Sequence, residues 1–242
     1  MPAYNAEQTL ERTYADVPKT HVDDIIMVDD GSRDRTVEIA RRLGIHVVVH
    51  PKNRGYGGNQ KTCYRTALER GADVVVMVHP DHQYDPTVIP HLLEALADGR
   101  YDAAFGSRML GGRPIQGGMP KWKYVSNRFL TMLENRAFGL HLSEYHTGFR
   151  AYSRDLLESI PYRLNSDDFV FDQELVAQAV ACRMRVGEIA VPTRYFEEAS
   201  SVGFRRSVVY GLSTVKVVMR FMLHRLRLRR SRKLDKRSQP TR

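Results

Sequence analysis

The segment Val74-Val75-Val76-Met77-Val78, followed directly by His79-Pro80-Asp81-His82-Gln83, indicates the fold of this chain. A short apolar run of this kind is typical of a strand that is buried on both faces of a sheet. A second run, Ile25-Ile26-Met27-Val28, also leads into acids, Asp29 and Asp30. Open α/β sheets bind ligands at the carboxyl ends of their strands, so the two runs predict a site for a metal and a phosphorylated ligand there. We therefore expect an enzyme.

Strands and helices are predicted to alternate along the chain. The predicted strands cover residues 24–28, 45–50, 73–79, 101–106, 149–152 and 186–196, and the predicted helices cover 34–43, 58–70, 86–97, 121–138, 153–160, 169–182 and 204–228. This alternation predicts βαβ units around a mostly parallel sheet. Within 121–138, apolar side chains recur at helical spacing, which favours a face packed in the core over a ligand-binding face. These side chains are Trp122, Val125, Phe129, Met132, Leu133 and Ala137.

The positive charge of the chain is concentrated near its C-terminal end. The net charge is +9 over 242 residues, and residues 220–242 alone contain ten Arg or Lys and one acid, Asp235. This distribution indicates a basic tail and no nucleic-acid-binding face. We predict one α/β domain over residues 1–203, a basic amphipathic helix over 204–230 and a disordered tail over 231–242. Because neither a signal-peptide pattern nor a membrane-spanning apolar run is found, we expect a cytoplasmic protein.

Three motifs at predicted strand ends favour a nucleotide ligand. The turn Asp29-Asp30-Gly31-Ser32 is either a capped tight turn or a nucleoside-binding turn. The loop Asn53-Arg54-Gly55-Tyr56-Gly57-Gly58-Asn59-Gln60-Lys61 can cradle a pyrophosphate or serve as a flexible connector. Asp81 with Gln83 offers the oxygen ligands that Mg²⁺ takes together with substrate phosphates. His79 has no zinc-like ligand set around it, so we expect it to pack or to form a hydrogen bond.

Taken in order, these motifs resemble those of the family 2 glycosyltransferases with the GT-A fold. The matching residues are Pro2-Ala3-Tyr4-Asn5, Asp29-Asp30-Gly31-Ser32 with Asp34 and Thr36, Asn53 with Gly55-Tyr56-Gly57, Pro80-Asp81-His82-Gln83, Gly106-Ser107-Arg108, Thr147-Gly148-Phe149-Arg150 and Ser200-Ser201. The resemblance covers about residues 2–205 and is greatest to the dolichyl- and polyprenyl-phosphate mannose or glucose synthases. It implies a Rossmann-like α/β fold and inverting sugar transfer from a nucleoside diphosphate sugar.

The resemblance also implies roles for individual residues. The residues implied to bind the nucleotide sugar are Pro2, Ala3, Tyr4, Asp29, Asp30, Asn53, Gly55, Lys61, Pro80 and Asp81. Asp81, assisted by Gln83, would hold Mg²⁺ or Mn²⁺ on the donor diphosphate. The residues implied to act in catalysis or on the acceptor are Asp81, Arg108, Glu144 and Arg150.

This sequence departs from the family pattern at three places. His79 stands at the first acid position of the DxD motif, so the metal site is one carboxylate poorer. Glu144 stands where related sequences often have Asp ahead of the Gly-Phe pair. The family's first strand, which precedes Pro2, has no counterpart here. We therefore expect that Met1 is a misplaced start or a truncation, and that about 5–15 further residues rich in Val and Ile belong before it.

The identity of the acceptor is open at this stage. An alcohol needs a general base to remove its proton, whereas a lipid phosphate is already ionised and needs arginines instead. No second strong acid motif is evident, which favours a polyprenyl phosphate at the cytoplasmic membrane surface, with the basic C-terminus on anionic lipid. A glycan or other non-lipid acceptor is the alternative. A catalytically silent GT-A binding protein is a third possibility, because of His79.

Overall fold

The computed structural model describes residues 1–110, 114–115, 119–192 and 203–236. The described strands are β1 Pro2–Ala3, β2 Ile26–Asp29, β3 His46–Val49, β4 Val74–Met77, β5 Ala103–Ser107, β6 Arg150–Ser153 and β7 Val186–Ala190. The described helices are α1 Leu10–Ala15, α2 Thr36–Arg42, α3 Tyr56–Glu69, α4 Ile89–Ala97, α5 Lys121–Phe138, α6 Arg154–Ser159, α7 Phe171–Ala181 and α8 Phe204–Arg225. The predicted alternation of strands and helices is confirmed, and α5 has the bounds that its periodicity predicts.

The described strands form two hydrogen-bonded sheets. The first has the order β1-β2-β3 and is parallel throughout. The second has the order β4-β6-β5-β7, in which β6 runs antiparallel to β4 and β5 while β5 and β7 are parallel. An antiparallel strand within an otherwise parallel α/β sheet is common. The α/β prediction is therefore confirmed, with one reversed strand that local sequence did not indicate.

A short first strand is present, contrary to the expectation that it would be absent. Pro2 lies opposite Val28 and Ala3 opposite Asp29, and the Met1 amino group donates to the Ile26 carbonyl at 2.7 Å. Beyond Met1 the sheet is interrupted. A cleft of about 530 Å³ separates β2 from β4 there, and apolar side chains of both strands line it. The facing edges of these two strands are consequently not joined by hydrogen bonds.

Two apolar clusters hold the strand ends in place. The larger lies on the side of α3, α7 and α8, and includes Tyr64, Phe105, Tyr152 and Phe171. The smaller lies on the side of α1, α2 and α4, around Leu10 and its neighbours. Burial of large side chains on both faces fixes the sheet between two helical layers. The carboxyl ends of β2, β4 and β5 are thereby held at one edge.

The prediction that the apolar stripe of α5 lies in the core is wrong for most of its length. Trp122, Val125, Phe129 and Met132 are 40–64% exposed, whereas Ala137 is buried. The buried face of α5 instead carries polar residues, which are Asn127, Thr131 and Glu134. Periodicity shows that a segment is an amphipathic helix, but it does not show which face meets the rest of the protein.

The predicted disorder after residue 231 does not hold for residues 231–236. Arg232–Leu234 forms a 3₁₀ turn, Leu234 is buried, and Lys233 Nζ lies 2.7 Å from Glu174 Oε1. The buried Leu234 side chain and the Lys233–Glu174 ion pair both contribute to holding this segment against α7. The motif Ser200-Ser201 and residues 237–242 lie outside the described residues. None of the described helices is long and apolar enough to cross a membrane.

Candidate active site

At the carboxyl end of β2, one carboxylate oxygen has no hydrogen-bond donor among the described residues. Asp29 Oδ2 accepts hydrogen bonds from the backbone N–H groups of Gly31 at 3.1 Å and Ser32 at 3.0 Å. Asp29 Oδ1 is buried and accepts no hydrogen bond from the described residues. A buried carboxylate oxygen is costly to leave without a donor, so it is suited to receive an N–H or O–H from a ligand.

Asp30 anchors the glycine-rich loop. Its Oδ1 accepts from Arg54 N at 2.8 Å and lies 2.7 Å from His50 Nδ1, and its Oδ2 accepts from Gly55 N at 2.9 Å. His50 Nε2 lies 2.9 Å from Thr62 Oγ1 on α3. Asp30 therefore positions the glycine-rich loop, and its predicted contact with the nucleotide stays a prediction. His50 was missed in the sequence because it lies outside every recognised motif.

The segment after β1 lies against the Asp29–Ser32 turn. The Ala3 carbonyl accepts from Asp30 N at 2.9 Å, and Asn5 N donates to Ser32 Oγ at 2.8 Å. Pro2 and Ala3 are buried, whereas Tyr4 is 53% exposed. Tyr4 follows Ala3, which pairs with Asp29 across the sheet, and an exposed aromatic ring at this position is suited to a planar base. Among Pro2, Ala3 and Tyr4, the structure therefore makes Tyr4 accessible to a ligand.

The glycine-rich loop is packed and is not a flexible connector. Gly55 has φ +83°, and a Cβ atom on Gly57 would lie 2.3 Å from the Ser166 carbonyl oxygen. Asn53 Oδ1 accepts from Gly55 N at 3.0 Å. Lys61 Nζ lies 2.7 Å from Asp167 Oδ1, so Lys61 fastens the loop to residues 165–167, and its predicted part in binding the nucleotide sugar stays a prediction. Glycine is required here because backbone meets backbone.

Asp81 and Gln83 lie in the turn after β4. Asp81 Oδ1 accepts from Gln83 N at 3.0 Å, while the Pro80 carbonyl accepts from Thr9. His82 turns inward, with φ +57° and Nε2 at 2.9 Å from Asp16 Oδ2. The described residues include no group of three or more His, Cys, Asp or Glu placed to hold a metal. One carboxylate and one carboxamide nevertheless fit Mg²⁺ or Mn²⁺, which complete their shells with phosphate and water oxygens.

A cluster of Tyr56, His79 and Asp172 borders this turn. The Tyr56 hydroxyl donates to Asp172 Oδ2 at 2.8 Å, and its ring stacks on His79 with centroids 5.6 Å apart. The stacking of His79 on Tyr56 agrees with the expectation that His79 packs. Its burial also lowers the pKa of His79. Asp172 Oδ1 is buried and accepts no hydrogen bond from the described residues. Sequence analysis missed Asp172, whose only signal was an acid in the first turn of a helix.

Glu144 and Arg108 form a buried ion pair at the end of β5. Glu144 has no exposed surface, and its oxygens accept from Arg108 Nε at 3.0 Å, Arg108 N at 2.9 Å and Asn127 Nδ2 at 2.9 Å. Burial alone would raise the pKa of Glu144, but the Arg108 guanidinium and these hydrogen bonds hold it below its usual value. A carboxylate enclosed in this way positions Arg108, and the predicted catalytic role of Glu144 stays untested.

Arg150 is enclosed beneath the site. It is 1% exposed, donates from Nε to the Thr147 carbonyl at 2.7 Å and from Nη2 to the Tyr145 carbonyl at 2.6 Å. Its guanidinium lies 4.6 Å from the Phe105 ring centroid and Nη2 lies 3.9 Å from Asp172 Oδ2. The guanidinium of Arg150 therefore has its partners within the protein, and its predicted contact with an acceptor stays a prediction.

Lys123 is a second cation near Arg108, one helical turn before Asn127, which donates to the Glu144 carboxylate that holds Arg108. It lies in the first turn of α5, with Nζ 5.6 Å from the Trp122 ring centroid. Partial burial and the nearby Arg108 charge both lower the pKa of Lys123. Two neighbouring cations, of which only Arg108 is shown paired with the Glu144 carboxylate, favour a bound anion, which would relieve their repulsion. No sequence motif pointed to Lys123.

Comparison with known proteins assigns this constellation to a family. A family model, Glycosyl transferase family 2, matches residues 1–160. The chain belongs to glycosyltransferase family 2. A dolichyl-phosphate hexose transferase of Haloferax volcanii is 30% identical over 232 residues, covering 94% of this chain and 95% of the relative. An undecaprenyl-phosphate mannosyltransferase of Micrococcus luteus is 29% identical over 205 residues, covering 79% and 80%.

Solved structures support the same fold for this family 2 glycosyltransferase. The crystal structure of glucosyl-3-phosphoglycerate synthase from Mycobacterium tuberculosis in complex with uridine diphosphate superposes with a TM-score of 0.70. The identity is 20%, and the match covers 91% of this chain and 78% of the other. At this identity the likeness concerns the fold alone. The GT-A prediction is confirmed.

Proposed function

We propose that this glycosyltransferase moves a sugar from a nucleoside diphosphate sugar to a polyprenyl or dolichyl phosphate, with inversion at the anomeric carbon. The observation that carries the proposal is the match along 95% and 80% of the length of two relatives named for such acceptors. The Haloferax volcanii relative is matched over 95% of its length, so the similarity is not confined to the nucleotide-binding half.

The donor would bind across the ends of β2 and β4. Asp29 Oδ1 would accept from the base or ribose, and the exposed Tyr4 ring would lie against the base. Asp81 and Gln83 would hold Mg²⁺ or Mn²⁺ on the diphosphate. When bound, such an ion supplies neutralisation of the charge that develops on the leaving diphosphate.

The acceptor phosphate would bind at Arg108 and Lys123. Glu144 and Asn127 hold the Arg108 guanidinium in place, so the cation is preorganised for an anion. A phosphate monoester is ionised at neutral pH, so its oxygen can attack the anomeric carbon without a general base. Attack from the face opposite the leaving diphosphate gives inversion. The basic C-terminal region would keep the enzyme at the cytoplasmic face of an anionic membrane.

A second candidate has a glycan or other alcohol as its acceptor. Asp172 favours it, because one of its oxygens is buried, lies near the Tyr56–His79 pair and has no donor among the described residues. A carboxylate in such a setting is suited to remove a hydroxyl proton. Asp172 Oδ2 also lies 3.9 Å from Arg150 Nη2, however, and accepts from the Tyr56 hydroxyl, so this oxygen already has partners within the protein.

Acceptor chemistry separates the two candidates. Purified protein is incubated with UDP-, GDP- and dTDP-sugars, Mn²⁺ or Mg²⁺, and either a polyprenyl phosphate or the corresponding polyprenol, and products are identified by mass spectrometry. We expect product only with the phosphate, and a loss of about tenfold or more for Lys123→Ala. Transfer to the polyprenol as efficient as to the phosphate would contradict the proposal and favour Asp172 as a base.

A further inference from the structure

The glycine-rich loop lies directly on Ser166 and Asp167, with backbone against backbone. Gly57 N donates to the Asp167 carbonyl at 2.8 Å. A Cβ atom on Gly55 would lie 2.6 Å from the same carbonyl oxygen, which leaves no room for a side chain there. Because the two segments are in close contact, a shift of residues 166–167 must move the loop as well.

Glu174 binds the backbone of Ser166. It lies in the first turn of α7 and is 5% exposed, and its Oε2 accepts from Ser166 N at 2.6 Å. Its Oε1 lies 2.7 Å from Arg220 Nη1 and 2.7 Å from Lys233 Nζ. One oxygen of Glu174 therefore contacts the segment on which the loop lies, and the other receives two cations from the C-terminal part of the chain.

The two cations stabilise Glu174 as a buried carboxylate. Burial alone would raise the pKa of Glu174, but Lys233, the Ser166 N–H and Arg220 hold it below its usual value. A buried carboxylate that loses a cationic partner is destabilised, because the interior offers little water to replace the contact. We therefore expect Glu174 to hold Ser166 less firmly when Lys233 is lost.

Lys233 is fixed in turn by the packing of its neighbour. It belongs to the 3₁₀ turn Arg232–Leu234, and Leu234 is 4% exposed within the larger apolar cluster. The cation at Glu174 therefore depends on the docking of residues 232–234, which are distant from the glycine-rich loop in the sequence. No sequence motif indicated that this segment acts on the loop.

We propose that Lys233 and Arg220 are positioning residues for the glycine-rich loop, which they hold through Glu174 and Ser166 in the arrangement that receives the donor diphosphate. The contacts form a continuous series from the C-terminal segment to Gly57. Only the last step, from the loop to the donor, rests on the proposed function.

Hydrogen exchange tests the positioning role without any ligand. Lys233→Met removes the charge and keeps a side chain of similar length, whereas Lys233→Arg keeps the charge. We expect the Gly57 amide, which donates to Asp167, to exchange at least about threefold faster in Lys233→Met and at close to the parent rate in Lys233→Arg. The matched control is Arg230→Met, because the Arg230 side chain is 85% exposed and pairs with Asp235.

Donor binding tests the step that rests on the proposed function. Calorimetric titration of the parent with UDP-glucose, GDP-mannose and dTDP-glucose, each with Mn²⁺, identifies the donor. We expect Lys233→Met to raise the Kd of that donor about fivefold and Arg230→Met to leave it unchanged. In transfer to polyprenyl phosphate, the KM for the donor should rise in Lys233→Met while kcat stays within about twofold of the parent.

The outcomes separate the positioning role from the proposed function. Faster exchange at Gly57 with weaker donor binding, both restored by Lys233→Arg, supports the proposal. Gly57 exchange at the parent rate in Lys233→Met overturns it, as does an equal increase at the amides of β5, which would show a general loss of stability. An unchanged donor Kd despite faster exchange overturns the step from the loop to the donor. If Gly57 exchange rises in Lys233→Met but the parent binds none of the three nucleotide sugars, the proposed function fails while the positioning role stands.

Discussion

Replacing Glu144 by Gln tests the most strongly enclosed interaction of the site. The substitution keeps the shape and the acceptor oxygen but removes the charge that pairs with Arg108, whose side chain is 13% exposed. Lys123 then repels a guanidinium that has no compensating carboxylate. Removing one partner of a buried ion pair typically costs about 3–5 kcal/mol. We expect a loss of this size in the free energy of unfolding at pH 7, measured by denaturant titration.

The effect of Glu144→Gln on the free energy of unfolding should depend on pH. The pKa of Glu144 lies below its ordinary value of 4.5 in the folded state. The stabilisation is therefore fully present above pH 4.5 and is lost as the pH falls through the folded-state pKa. The difference between parent and Glu144→Gln should shrink in that range.

An exposed pair serves as the control for Glu144. Glu158→Gln disrupts the pair of Glu158 with Arg154, which is 24–37% exposed, and we expect a loss of about 0.5 kcal/mol. A loss below about 1 kcal/mol for Glu144→Gln at pH 7, or one that does not depend on pH down to 3, would refute the argument that this carboxylate acts by holding a buried cation.

Three further predictions concern other parts of the site and sheet. Asp81→Asn should abolish metal-dependent transfer at an unchanged melting temperature, and turnover within about threefold of the parent would exclude the metal role. Gly57→Ala should destabilise the protein and weaken donor binding, because its Cβ would clash with the Ser166 carbonyl oxygen. Gly44→Ala is the comparison: its Cβ would meet no atom within 4 Å, so only the strain of its positive φ would act. A Val-Ile-Val-Ile extension ahead of Met1 should raise the melting temperature by about 5 °C or more by filling the cleft between β2 and β4, and a Ser-Gly-Ser-Gly extension should not. Burial lowers the pKa of the Met1 amino group from 8.0, so stability of the parent should rise as the pH increases toward 8, and the apolar extension should remove that rise.

Several features could be predicted because they depend on local sequence. The apolar runs before Asp29 and Asp81 predict buried strands and place two acids at one edge, and the periodicity of residues 121–138 predicts α5 with its observed bounds. The order of the motifs indicates family 2. In each case, neighbouring residues in the sequence carry the signal, so no knowledge of distant contacts is needed.

The roles of several site residues depended on contacts between distant segments. The residues next to Arg150 in the sequence give no sign that it is buried, but its guanidinium contacts Tyr145, Thr147 and Asp172. Lys61 binds residues 165–167 and Asp30 binds the glycine-rich loop. A charged side chain has the same identity in a ligand site and in a buried network, so its partners alone distinguish the two roles.

The sequence by itself determined the α/β fold, the family and the two acids at the strand ends, since strand burial and turn chemistry are local properties. The tertiary structure decided which face of α5 is buried, that β6 reverses direction, and that Lys123 lies beside Arg108. Amphipathic periodicity is the same whether the apolar face meets a core or a membrane. The buried side of α5 carries Asn127, which donates to Glu144 17 residues away, and Phe138, which packs on Phe221 of α8, and both contacts join distant segments.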